Sequence, residues 1–167
     1  MKEILVLLLV AILNINCKKN EPCTPDAVVT LLTGSTNFIT PTTSRNLIVN
    51  LWELGGCDAT YGKVLITKIA GLNITIPSIT QMTIGGNIYN LDNSNWTISD
   101  YAPLPNLYYE LSCNNVFLLA NTNKKIGLEL QRTTTNIGTF SVTCIVGGIE
   151  FEANTSNNTS IKKFTFN

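Results

Sequence analysis

The sequence predicts an all-β protein, two packed antiparallel sheets of about seven to nine strands. Three observations carry this. Short runs of alternating apolar and polar residues recur at roughly ten-residue spacing with turn-formers between them. Charged residues are only 13% of the chain, and Asn and Thr supply most of the polarity; Thr suits a half-exposed pleated surface and Asn suits turns. No stretch sustains a helical period bounded by caps. The 167 residues fit a single domain, and a domain of that size hides roughly 70% of its unfolded surface.

The elements follow in order. "AVVTLLT" (27–33) reads as the first strand and "NLIVNLWEL" (46–54) as the second, with Leu47, Val49 and Leu51 on one face. "GGCDATYG" is turn material. "KVLITKIA" (63–70) and "LNITIP" (72–77) follow, the latter closed by Pro77. "TIGGNIYNLDNSNWTIS" holds two short strands around an Asn-rich loop, with Trp96 in phase with Ile98 and assigned to the core. Trp52 shares phase with Ile48 and Asn50, which leaves its side open. "NLYYELSC", "KIGLELQR", "GTFSVTCIVGG" and "IKKFTF" complete the set. There is no internal repeat, so the module is a single copy.

Ahead of this body, Met1-Lys2-Glu3 is followed by the apolar run "ILVLLLVAILNI" (4–15). Twelve residues at a rise of 1.5 Å span about 18 Å, short of the roughly 30 Å hydrocarbon core of a bilayer. The run fits the apolar region of an export signal. "LNINC" then resembles a bacterial lipoprotein signal, with Asn16 departing from the usual small residue before the cysteine. The resemblance implies a signal peptide over 1–16, acylation of Cys17, a lipidated tether over 17–26 that includes "KKNE", and a β-sandwich domain over 27–167. It also implies a partner, the membrane, and a place, the envelope and outer membrane of a Gram-negative cell. The alternative is an ordinary signal peptide with Cys17 kept as a disulfide partner.

Setting Cys17 aside leaves Cys23, Cys57, Cys113 and Cys144, an even number in an exported chain, which favours disulfides. Cys23 precedes the first strand and Cys57 follows the second, and in an antiparallel pair those ends lie together. Cys113 is in phase with Leu107, Tyr109 and Leu111, and Cys144 with Phe140, Val142 and Val146, so both face the apolar side. The favoured pairing is Cys23–Cys57 with Cys113–Cys144; buried free thiols are the alternative. No C-x-x-C pair supports a zinc or redox site.

The carboxy-terminal half, "NIGTFSVTCIVGGIEFEANTSNNTSIKKFTF" (136–166), resembles the final strands of immunoglobulin-like modules of bacterial surface proteins: the conserved-repeat and cell-adhesion-related domain of CARDB type. Asn157-Asn158 occupies the Asn-rich loop before the last strand. "NSNWTISD" (93–100) and "KKIGLELQR" (124–132) are similar to a version in Bacteroidetes-like bacteria. The resemblance implies an immunoglobulin-like sandwich and a role in surface binding or adhesion, in protein interaction, or as a subunit of an envelope assembly.

The chemistry readable from the residues is sparse. Histidine is absent, which removes Ser-His-Asp and Cys-His nucleophile systems and imidazole metal sites. The carboxylates Glu21, Asp26, Glu53, Asp58, Asp92, Asp100, Glu110, Glu129, Glu150 and Glu152 are scattered, none paired across a cleft as a glycosidase needs; they read as solvated surface. Glu150 and Glu152, two apart on a strand beside "NTSNNTS", offer oxygen ligands of the kind calcium takes, yet an exposed strand end explains them better. No catalytic residue, metal or cofactor is expected. Positive and negative residues balance at eleven each, so no net field recruits nucleic acid. In "DYAPLPNLYYE" (100–110), Tyr101 and Tyr108 fall off the core phase and are the candidate binding rings for a protein or glycan partner.

Overall fold

A computed structural model describes residues 23–167. Cys17, the signal peptide expected over 1–16 and residues 18–22 of the expected tether lie outside the described residues. In chain order the strands are β1 (Ala27–Thr33), β2 (Asn37–Phe38), β3 (Ser44–Glu53), β4 (Lys63–Thr67), β5 (Leu72–Thr75) and β6 (Gln81–Ile84). There follow β7 (Asn87–Asn90), β8 (Trp96–Asp100), β9 (Tyr108–Cys113), β10 (Asn123–Arg132), β11 (Gly138–Gly147) and β12 (Thr159–Phe166). The count exceeds the expectation because β2 is a two-residue strand and "TIGGNIYN" folds back on itself as the β6–β7 hairpin. Gly85 and Gly86 form its turn at φ of +58° and +83°, a conformation only glycine adopts freely at both positions.

Two sheets face each other. The smaller has the order β1-β3-β10-β5 and the larger β2-β12-β11-β4-β9-β8. Every pairing is antiparallel except β2 with β12. The period-two pattern sets the core: Ala27, Val29 and Leu31 of β1, Ile126, Leu128 and Leu130 of β10, Val142, Cys144 and Val146 of β11, and Phe164 and Phe166 of β12 are all buried between the sheets. Each fully buried Leu, Ile or Phe adds about 1.5–3 kcal/mol over its exposed state.

Strand β3 departs from alternation. Leu47, Val49 and Leu51 face the sandwich interior, but Ile48 is equally buried on the other side. There the hairpin lies against the smaller sheet, and Met82 and Ile84 form a second apolar cluster with Ile48. Two residues seat it. Gly127 leaves room for Leu91, whose side chain a Cβ at that position would strike. Asn93 accepts from the Gly127 N–H at 2.7 Å and donates to the Pro77 and Gly127 carbonyls at 2.8 and 3.1 Å. Trp52, one residue from the end of β3, is 39% exposed, whereas Trp96 is buried against the edge of Phe117.

The sandwich has two ends. β1 begins and β3 ends at the first, which also carries residue 23 and the segments 54–62, 114–122 and 148–158. At the second, Phe38, Phe140, Phe164 and Phe166 pack together, with the Phe140 and Phe166 rings 4.5 Å apart.

Candidate functional site

At the first end Cys23 is bonded to Cys57. The antiparallel register that sets Ala27 opposite Glu53 brings the two cysteines together, as the chain order of the strands predicts. Beside the disulfide, Glu53 is buried rather than solvated. Its Oε1 accepts from the N–H groups of Asp26 and Gly55 at 3.0 and 2.8 Å, and its Oε2 from Gly56, Cys57 and Asn121 at 2.9, 3.2 and 2.9 Å. Burial works to raise its pKa, yet the N–H groups of Asn121, Asp26, Gly55 and Gly56 outweigh it and hold the carboxyl below its usual range. Gly55 is needed where it stands, because a side chain there would collide with the Thr24 main-chain oxygen.

Two hollows open beside this node. One of about 530 Å³ is lined by Tyr61, Lys63, Glu110, Cys113, Val116 and Phe117 among others. The other, about 230 Å³, lies between Cys23, Asp58, Tyr61, Ile149, Glu150 and Phe151. Tyr61 separates them and is 73% exposed; Phe151 is 83% exposed and sits at φ +56°, a backbone region a bulky side chain rarely enters.

Tyr101 and Tyr108 flank a turn at the far end of β8 and β9, where Tyr101 N–H donates to the Tyr108 carbonyl at 3.1 Å. Both are half-buried, and the Lys63 ammonium lies 5.1 Å from the centre of the Tyr101 ring. Residues 102–107 are all exposed, and the large apolar side chains among them are Leu104 and Leu107. Alternation places Leu107 in the core phase, but β9 begins one residue later, so the period does not reach it. Sequence reasoning missed this aliphatic pair; its position between Pro103, Pro105 and the strand start is the signal that marks it as turn.

Glu150 and Glu152 lie in the β11–β12 connection, not on a strand, and they diverge. Glu152 accepts from the Ala27 N–H at 3.1 Å and the Asn158 side-chain amide at 2.6 Å, while Glu150 is exposed beside the smaller hollow. Asn157 donates to the Asp26 carboxylate at 2.8 Å, so the Asn pair fastens the connection to the start of β1. No group of three His, Cys, Asp or Glu side chains placed to hold a metal occurs among the described residues.

The expected Cys113–Cys144 bond is absent, and both thiols are free. Their phase is as read: Cys144 is fully buried and Cys113 packs against the core. Their strands are not neighbours, however. β4 runs between β9 and β11, and Cys144 is level with Tyr109 through Ile66, four residues from Cys113. Two strand spacings alone separate them by about 9.5 Å, beyond the reach of a disulfide. Burial pushes the Cys144 thiol pKa up, which leaves it inert. Cys113 has the Lys124 ammonium 3.5 Å from its sulfur.

No family model matches the chain, and no curated protein does. Its fold is shared by solved structures. The solution structure of the CARDB domain of a Pyrococcus furiosus protein superposes with a TM-score of 0.50 at 16% identity, covering 86% of this chain and 95% of that one. Two domains of the major pilin SpaD of Corynebacterium diphtheriae give 0.46 at 11% identity, over 84% of this chain and 50% of that one. A collagen-binding domain from a Staphylococcus aureus adhesin gives 0.38 at 11%, over 88% and 99%.

The paired sheets and the likeness to the CARDB domain define the class: an immunoglobulin-like β-sandwich. Within that class its architecture is similar to the CARDB domain.

Proposed function

We propose that the chain is a lipoprotein of the bacterial envelope, held by acyl groups on Cys17, whose sandwich binds a partner without catalysing a reaction. The single observation that carries this is the Cys23–Cys57 bond, six residues beyond the cysteine of "LNINC". Disulfides persist in oxidising compartments, so the bond and the export signal agree. Two or three acyl chains anchor firmly where one is marginal.

The partner-binding surface lies at the end away from the tether. There Leu104 and Leu107 project from the 101–107 turn at 46% and 55% exposure, and Tyr101 and Tyr108 brace the turn from below. This favours a protein partner over a glycan, because sugar stacking needs a free ring face and Lys63 lies over the Tyr101 ring.

The test is metabolic labelling with an alkyne-bearing palmitate in a Gram-negative host, followed by detergent phase partition. The full chain is expected to take up label and enter the detergent phase, and the Cys17→Ala chain to do neither. An unlabelled full chain, or equal labelling of the two, overturns the anchor. For the binding surface, site-specific photo-crosslinkers at Leu104 and Leu107 are expected to capture a discrete partner on cells. Crosslinking only from positions on other faces would refute it.

A further inference from the structure

We infer that the tether end of the sandwich rests on the lipid surface itself, with Trp52, Tyr61 and Phe151 set into the bilayer interface. This rests on the anchor at Cys17 and adds an orientation to it. Cys23 is fixed to the body through Cys57, and six peptide units from Cys17 to Cys23 span at most about 20 Å when fully extended. The acylated residue therefore holds this end, and no other, within reach of the headgroups. A ten-residue strand such as β3 rises about 33 Å, so the opposite end stands clear.

The side chains at the held end suit that position. Trp52, Leu54, Tyr61, Leu119 and Phe151 are exposed there; the register sets Trp52 opposite Val28 and Asn123 at the strand ends, and contacts fix the neighbourhood of the other four. Tyr61, Phe151 and Cys23 line one hollow. Leu54 N–H bonds to the Asp26 carbonyl. The segment carrying Leu119 is tied to the 54–62 loop by Ala120 N–H donating to Asp58 at 2.8 Å. At the opposite end the strongly exposed apolar residues are aliphatic: Ile39, Leu104, Leu107 and Ile137. Tyr and Trp favour the membrane–water boundary because their rings combine an apolar body with a polar edge. Asp58 and Glu150 share the rim and Lys18 and Lys19 directly follow Cys17 in the sequence, so the charges at this end offset one another and the matching surface is zwitterionic lipid.

The experiment uses the full acylated chain in phosphatidylcholine vesicles, with Trp52→Phe as background and Trp96 as the buried internal reference. The reporters are the additional substitutions Phe151→Trp, Tyr61→Trp and, as control at the opposite end, Leu104→Trp. Vesicles carrying bromines on the upper acyl chain are floated, and emission of the floated protein is read. The Phe151→Trp and Tyr61→Trp chains are expected to be quenched at least about twofold more than the Leu104→Trp chain and to shift to the blue, as interfacial rings do. Protein that floats while all three reporters are quenched alike overturns the orientation and leaves the anchor standing. Protein that does not float overturns the anchor and the orientation with it.

Discussion

At the end that carries Cys23, Glu53 gathers five main-chain N–H groups, and at the far end Arg132 donates to five main-chain oxygens. Neither pairs with an oppositely charged side chain among the described residues; the ion pair of Lys68 with Asp100 lies at the surface. The Arg132 guanidinium bonds to Phe38 and Asn167 at 2.9 and 2.8 Å through Nη1, to Thr134 at 2.8 Å through Nε, and to Thr135 and Asn136 at 3.4 and 2.9 Å through Nη2. It also lies 4.8 Å from the centre of the Phe166 ring. A sandwich exposes the unpaired backbone of its connections at both ends, and a buried ion with many hydrogen bonds can satisfy several such groups at once. The two ions differ in one respect that matters. A carboxylate titrates and a guanidinium does not, so the hydrogen-bond node around Glu53 responds to acid and the node around Arg132 does not.

The largest effect is expected from Arg132→Met, which keeps the volume but strands the carbonyls of Phe38 and Asn167. Urea unfolding should show a loss of about 4 kcal/mol, and a loss below about 1 kcal/mol would mean that the far end does not depend on the ion. Next is removal of the disulfide by Cys23→Ser with Cys57→Ser. Its sequence separation is 34, for which the chain-entropy relation gives about 3–4 kcal/mol. Glu53→Gln should cost about 2–3 kcal/mol by unfolding, since an amide nitrogen replaces an acceptor that faces N–H donors.

Combining substitutions sharpens the contrast. Glu53→Gln and Arg132→Met share no partner and should add to within about 0.5 kcal/mol. Glu53→Gln and the cysteine pair should not, because Glu53 accepts from Cys57 itself. The smallest effect is the pH dependence. The folded pKa of Glu53 is lowered, so its contribution is complete above the ordinary carboxyl value of about 4.3 and fades as pH falls through the folded value. Stability measured from pH 6 down to about 3 should therefore fall less steeply in the Glu53→Gln chain, whereas Arg132→Met should keep the parent slope. Parallel slopes for Glu53→Gln and the parent would refute the assignment.

Much of this architecture is legible from residue order alone. Alternation locates β1 without error and β3, β10 and β11 to within two residues, because each has one face wholly inside. The Cys23–Cys57 bond follows from the antiparallel succession of the first two long strands. The error over Cys113 and Cys144 has a clear origin: phase tells which side of a sheet a residue occupies, not which strand lies beside it. The β6–β7 hairpin is obscured because its strands are four residues each, too short to establish a period. Glu53 and Arg132 are the least legible residues. A charge at a strand end looks like solvated surface until the main-chain groups converging on it are known, although "ELGGC" does place flexible glycine N–H donors directly after Glu53.

Because the β6–β7 hairpin covers the outer side of β3 at Ile48 while the opposing sheet covers the inner, and β1 and β10 flank it, the central stretch of this strand, Leu47 to Leu51, has no route to water short of dismantling the module. Its amide protons at Leu47 to Leu51 should be the last to exchange with deuterated solvent, at a rate set by global opening. A single peptide from β3 thus serves as a gauge of the whole fold's free energy under native conditions.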